Sequence, residues 1–307
     1  MRVLIVGCGY LGLPLGAELS RLGHEVFGVR RSAEGAGELT AAGITPLAAD
    51  VTKPSELALL PWPFDWVVNA VSSTRGGVED YRQVYLEGTR NLLHALAASP
   101  PRKFVFTSST SVYAQADGSE VDESSATEPG SETSRVLVET EQLLLEAFRE
   151  RRFPAVILRV AGIYGPGRGQ LFKQFLRGEA RLEGDGSRLI NMIHVEDVAG
   201  AVIAALEHGH AGEVYNVADD EAVSHAGFFR WVSAQLGRPM PPAATGMEAA
   251  PRKRGVTNKR VLNSKLKAAG WRLKHPTFRE GYASEMRRHG DAGTRGRGDM
   301  EPGQPTR

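Results

Sequence analysis

Cysteine is almost absent. Cys8 stands alone among 307 residues, so no disulfide can form within the chain, and that usage fits a reducing compartment. Net charge is nearly absent too: 37 Lys and Arg against 36 Asp and Glu leave +1, which gives no global field to draw nucleic acid or an anionic membrane. No apolar run reaches the length of a membrane span. The opening MRVLIVGC puts a cysteine where a lipidated leader would, but too few residues precede it for a charged start and an apolar core. Histidine is scarce, and neither it nor the cysteine falls into metal-ligand spacing, so no metal is expected. These absences leave a cytoplasmic protein whose partner is a small molecule, with neither nucleic acid nor membrane.

What is present is an alternation of apolar strands and helical stretches. The run Val3-Leu4-Ile5-Val6 leads into Gly7-Cys8-Gly9-Tyr10-Leu11-Gly12. A strand feeding a GxGxxG turn and then a helix builds a dinucleotide site. Gly7 makes the turn, Gly9 lets backbone approach a diphosphate, and Gly12 lets the helix pack close. The N–H groups near Tyr10 and Leu11, with the helix dipole, face the anion. Cys8 reads as a small residue inside the turn. Helices are expected over residues 10–21, with Leu11, Leu15, Leu19 and Leu22 on one face, and over 79–97 and 131–151; strands are expected over 2–6, 26–29, 44–48, 65–71, 104–107 and 155–159. The alternation predicts an α/β, Rossmann-type doubly wound parallel sheet with a smaller C-terminal substrate lobe. The expected division is a dinucleotide-binding domain over 1–165, joined by a strand at 213–217, then a lobe interleaved with it over 166–286. Residues 287–307, poor in apolar side chains, are expected to form a disordered tail.

The end of the second strand selects the dinucleotide. An acid there binds a ribose 2′-hydroxyl, whereas arginine accommodates a 2′-phosphate. Arg30 and Arg31 stand there with no Asp or Glu, which favours NADP over NAD. The competing reading is two solvated arginines. Asp50-Val51 follows the third strand, where an acid can accept from an adenine amino group or cap the segment after Pro54. Asn69-Ala70-Val71 ends the fourth strand, so Ala70 and Val71 pass beneath the cofactor.

With these come Gly88-Thr89-Arg90-Asn91-Leu92-Leu93, Thr107-Ser108-Ser109-Thr110-Ser111-Val112-Tyr113, Arg159, Tyr164-Gly165-Pro166, Ile193-His194-Val195-Glu196-Asp197-Val198-Ala199 and Val214-Tyr215-Asn216-Val217. Over residues 1–282 the chain resembles the extended branch of the short-chain dehydrogenase/reductase superfamily, the NAD-dependent epimerase/dehydratase type. The resemblance implies hydride transfer at a carbonyl or carbinol carbon. It implies a serine, here Ser109, that holds the substrate oxygen, and a tyrosine acid with a lysine four residues on. That pair is missing. The family's positions fall on Thr133 and Leu137, with no tyrosine between Tyr113 and Tyr164 and no lysine between Lys103 and Lys173. The chain therefore resembles an atypical subgroup, departing also at Tyr85, where the family has asparagine.

Candidate substitutes are Tyr113 or Tyr164 as the acid, with Tyr113 preferred, and Arg135 for the nicotinamide ribose or a substrate anion. The competing reading pairs Arg135 with Glu139 on the helix surface. Ser131 and Arg135 repeat the four-residue spacing in a shifted register. His194 and Asp197 read as structural residues leading into a helix. Arg252-Lys253-Arg254 with Lys259 and Arg260 reads as a solvated loop or as contacts to an anionic substrate. Two functions stay open: an NADP(H)-dependent oxidoreductase or epimerase acting on a small carbonyl compound, such as a sugar nucleotide, or a non-catalytic NADP(H)-binding sensor. The family also implies a homodimer.

Overall fold

The computed structural model describes residues 1–73, 76–244 and 257–295. In chain order the first half holds β1 (Arg2–Val6), α1 (Gly12–Arg21), β2 (Glu25–Arg30), α2 (Ala36–Ala41), β3 (Ile44–Ala48), α3 (Pro54–Leu57), β4 (Trp66–Asn69), α4 (Val78–Tyr81), α5 (Gly88–Ala95) and β5 (Lys103–Ser109). The second half holds β6 (Glu120–Val121), α6 (Glu132–Arg151), β7 (Ala155–Val160), β8 (Gly162–Tyr164), α7 (Gln170–Leu176), β9 (Leu189–Ile190), β10 (Met192–His194) and α8 (Val195–His208). It ends with β11 (Val214–Val217), β12 (Val223–Ser224), α9 (His225–Leu236), β13 (Arg260–Val261), α10 (Ser264–Ala268) and α11 (Phe278–Arg295).

Seven parallel strands form one sheet in the order β11-β7-β5-β4-β1-β2-β3. The expected doubly wound sheet is therefore present. The order reverses between β1 and β4, so the carboxyl end of β1 is the switch point where such sheets open a ligand crevice. β4 and β7 are buried along their whole length, as strands covered by helices on both faces must be. On α1, Leu15 and Leu19 face the sheet, whereas Leu22 lies beyond the helix end and is 46% exposed. Among the described residues no helix is long and apolar enough to cross a membrane.

Two cores are distinct. The larger contains the sheet and also α8 and Trp271, so the sheet domain draws on residues well beyond 165. The smaller is aromatic: Tyr164, Phe172, Phe175, Phe228, Phe229, Phe278 and Tyr282. The helix expected over 79–97 is broken by a π-helical turn at Arg82–Glu87, which lets Tyr81 and Tyr85 both bury and meet with centroids 5.0 Å apart. The tail expected from residue 287 is corrected in its first part: α11 runs on to Arg295. Its side chains Phe278, Tyr282 and Met286 anchor it in the aromatic core, and the helical backbone continues from that anchored turn. Residues 296–307 lie outside the described residues.

Candidate functional site

The glycine turn has the shape the sequence requires. Gly7 sits at φ +86, and a β-carbon there would lie 2.7 Å from the carbonyl oxygen of Ala70 and from the backbone of Val71. Only glycine fits. A β-carbon on Gly12 would press on Gly7 O at 3.0 Å and Ile5 Cγ2 at 3.1 Å, whereas one on Gly9 would meet nothing within 4 Å. Gly9 thus faces open space, the cradle a diphosphate needs. No side chain caps α1 and its first turn holds no acid. No acceptor among the described residues takes the N–H of Tyr10 or Leu11. These free donors at a helix start fit an anion. Ala70 and Val71 underlie the turn, with Ala70 N–H bonded to Val6 O at 2.8 Å.

Cys8 is buried, and burial pushes its thiol up to about 11. It is a packing residue, its sulfur lying 2.8 Å from where a side chain on Gly28 would begin. Its carbonyl accepts from Arg30 Nε at 2.7 Å, and both terminal nitrogens of Arg30 reach Glu38 Oε2 at 3.2 Å. Arg30 is therefore not simply solvated: it is strapped across the glycine turn by a carboxylate that is itself 66% exposed. Arg31, beside it, is exposed. Asp50 Oδ1 accepts from both the N–H and the hydroxyl of Thr52, at 2.9 and 2.8 Å. Val51 packs under α5, within 2.9 Å of where a side chain on Gly88 would begin.

At the exit of β5 the chain gathers hydroxyls. Ser131 caps α6, accepting from Ser134 N–H at 3.3 Å. Its hydroxyl donates to Ser134 Oγ at 2.9 Å, and Ser134 donates to Ser111 Oγ at 2.9 Å. Ser109 Oγ accepts from Ser111 N–H at 3.2 Å and so fixes the turn. Thr133 and Leu137 are buried beside this chain. Ser111 and Ser134 are the functional candidates that sequence reasoning missed; the serine density at 108–111 and 131–134 was the available signal.

Tyr113 corrects the expectation of an acid. It is fully buried; its hydroxyl donates to Asn216 Oδ1 at 2.8 Å and accepts from Arg159 at 2.9 Å. Burial pushes its pKa up, against the Arg159 charge, so it belongs to a polar core network and not to the cleft. That network continues through Arg159 to Glu141, at 2.7 Å, and to Ser108, which donates to Glu141 at 2.5 Å. Tyr164 is likewise packed, stacked on Tyr282 with centroids 4.5 Å apart. Arg135 is exposed, with Nε on Pro129 O at 3.3 Å. The Arg135–Glu139 pair does not form, because Glu139 is taken by Arg82 at 2.8 Å.

The readings of His194 and Asp197 hold. His194 Nδ1 caps α8 by accepting from Glu196 N–H at 3.3 Å. The Asp197 carboxylate accepts from Lys274 N–H at 2.5 Å and meets His275 Nδ1 at 2.9 Å. The fold does bring His194, Glu196 and His275 together, with ligating atoms within 4.8 Å of one another, which no sequence spacing revealed. Arg252 to Arg254 lie outside the described residues. Lys259 is buried rather than solvated: Nζ donates to Tyr113 O at 3.0 Å and Thr257 Oγ1 at 2.8 Å, and burial pulls it down to about 8. Asp219, after β11, is 4% exposed with Oδ2 unpartnered, and burial pushes it up to about 8.

The profile of the NAD dependent epimerase/dehydratase family matches residues 3–218. The chain belongs to that family. It is 29% identical to protein YeeZ of Escherichia coli K12, over 81% of this chain and 88% of YeeZ. It is 28% identical to a 3-diazoavenalumate denitrifying reductase of a Streptomyces, over 93% of this chain and 100% of that one. Among solved structures, a conserved protein of unknown function from Silicibacter pomeroyi superposes with a TM-score of 0.76 at 29% identity, covering 92% of this chain and 97% of the other. DesIV, a dTDP-glucose 4,6-dehydratase of Streptomyces venezuelae solved with NAD bound, superposes at 0.81 with 20% identity, covering 94% and 96%. This last likeness is one of fold.

Proposed function

We propose that this protein is an NADP(H)-dependent oxidoreductase acting on a small carbonyl compound, such as a keto-sugar nucleotide. The observation that carries the reading is a pairing at the carboxyl ends of strands in one sheet. Free N–H donors lie at the turn after β1, and an ordered hydroxyl chain lies at the exit of β5. Gly7, Gly9, Tyr10, Leu11 and Gly12 would hold the diphosphate, Ala70 and Val71 the surface beneath it, Asp50 the adenine side, and Arg30 with Arg31 the 2′-phosphate. A bound nicotinamide supplies the hydride.

The chain's own residues manage the oxygen. Ser111 accepts from Ser134, which leaves its own O–H to donate to a substrate oxygen. When that proton moves to the substrate, Ser134 refills Ser111, Ser131 refills Ser134, and solvent refills Ser131, leaving hydroxide in the medium. The relay compensates for serine's weak acidity by pre-aligned donors and the positive end of a 20-residue helix. Ser109 positions Ser111 through its backbone. Arg135, exposed near the helix start, suits an anionic substituent on the substrate.

Two measurements test this. NADPH should bind at least tenfold more tightly than NADH, and Arg30→Ala should remove most of that preference; equal affinities would overturn the NADP assignment. NADPH oxidation should appear with some member of a panel of keto-sugar nucleotides and small ketones, and Ser111→Ala should slow it at least tenfold without changing NADPH affinity. Tight NADPH binding with no turnover across the panel would instead favour a cofactor sensor.

A further inference from the structure

Between β8 and α7 the chain reads Gly165-Pro166-Gly167-Arg168-Gly169. Its backbone closes on itself, Arg168 N–H to Gly165 O at 2.9 Å. Gly165 and Gly169 adopt φ +144 and +126. A β-carbon on Gly165 would lie 2.9 Å from the Tyr10 hydroxyl, and one on Gly169 would lie 2.4 Å from the Tyr282 hydroxyl. The loop is thus wedged against two tyrosines by residues that have no side chain, a conformation only glycine adopts there. Arg168 is the one residue in it with a long side chain. Its guanidinium lies 4.9 Å from the centroid of the Tyr10 ring, and Tyr10 is one of the two residues whose N–H has no acceptor among the described residues at the glycine turn. The residue is exposed, and no hydrogen bond or ion pair of its guanidinium occurs among the described residues. Glu285, also near Tyr10, is engaged by Arg288 at 3.4 Å.

We infer that Arg168 is the second jaw of the diphosphate site: a guanidinium carried on a glycine-braced loop and steered over the Tyr10 ring to meet the anion held by the backbone amides of the glycine turn. A planar guanidinium both stacks on an aromatic face and binds phosphate oxygens bidentately, so lysine is a poor replacement. The inference deepens the cofactor reading and rests on it. It differs from the role of Arg30 and Arg31, which concerns the 2′-phosphate alone.

The test is calorimetric titration of the full chain with ADP, adenosine and NADPH. ADP carries the diphosphate without the 2′-phosphate, and adenosine carries neither. Arg168→Ala should weaken ADP and NADPH about tenfold or more, the range of a charge-assisted pair, and leave adenosine unchanged. Arg168→Lys should recover only part of the loss. Arg31→Ala should weaken NADPH and spare ADP. Unaltered thermal melting of the Arg168 variants excludes misfolding. If wild type binds ADP and NADPH and Arg168→Ala binds both equally well, the inference fails and the cofactor reading stands. If wild type binds none of the nucleotides, the cofactor reading fails and takes the inference with it.

Discussion

At the glycine turn the site is shaped by backbone; at the exit of β5 it is held by side-chain hydroxyls. At Gly7 the first end tolerates no added atom, because a methyl group there would overlap the backbone of Ala70 and Val71 at 2.7 Å. The second end is a string of small side chains, Ser131, Ser134 and Ser111, joined by bonds of 2.9 Å. Backbone shape ties binding to stability. A hydroxyl chain can be altered one member at a time, so chemistry can diverge there while cofactor recognition stays fixed.

The comparison breaks most visibly beneath the hydroxyl end, where the buried Arg159–Glu141 pair supports β5 and α6. Arg159→Leu strands a carboxylate that is 3% exposed and should cost ~3–5 kcal/mol, read by urea unfolding. A smaller loss would mean that Glu141 finds water or takes up a proton. Gly7→Ala should cost ~2–4 kcal/mol and abolish NADPH binding together. If the two effects separate, the turn is not the rigid element described. Serine substitutions at the other end should cost less: about 1 kcal/mol for Ser131→Ala, which removes the α6 cap, and less for Ser111→Ala.

Asp219 sharpens the contrast from the edge of the sheet. Folded, it keeps its proton up to about pH 8, against 3.8 as its ordinary value. Between those limits folding takes up a proton, so stability falls as pH rises across that window. Asp219→Asn should flatten the dependence and raise the melting temperature at pH 8 by ~5 °C, with little change near pH 4. Wild-type stability that rises over the same range would refute this. The smallest effect concerns Glu38, which on the proposed NADP assignment would compete with a 2′-phosphate for Arg30. Glu38→Gln should tighten NADPH about threefold to fivefold and leave NADH unaltered; an equal gain for both would mean that Glu38 acts elsewhere.

The glycine turn was legible because each glycine answers a local demand of strand, turn and helix, and local demands survive in sequence order. The parallel sheet was legible for the same reason. The hydroxyl cluster was not, since Ser111 and Ser134 come from elements 23 residues apart and neither is distinctive alone. Tyr113 misled because its four-residue distance from Ser109 resembles an active-site spacing. The turn after β5 points it inward to Asn216 and Arg159, residues of β11 and β7 whose nearness depends on strand order. Lys259 looked solvated because its neighbours in sequence are basic, yet the pairing of β13 with β6 draws it inside. The Glu139 partner was misassigned for a similar reason: the π-helical turn delivers Arg82 to it across space.

Asp197 has a mechanical consequence. It starts a helix that belongs to the sheet's own core, and its carboxylate grips the backbone at Lys274 and His275, just ahead of α11. Those bonds help moor the aromatic lobe to the nucleotide half through a buried carboxylate. The two halves cannot swing apart like a clamshell without stranding that carboxylate. On the proposed function, ligand exchange by movement of short segments at the rim avoids that cost, so turnover should vary little with solvent viscosity.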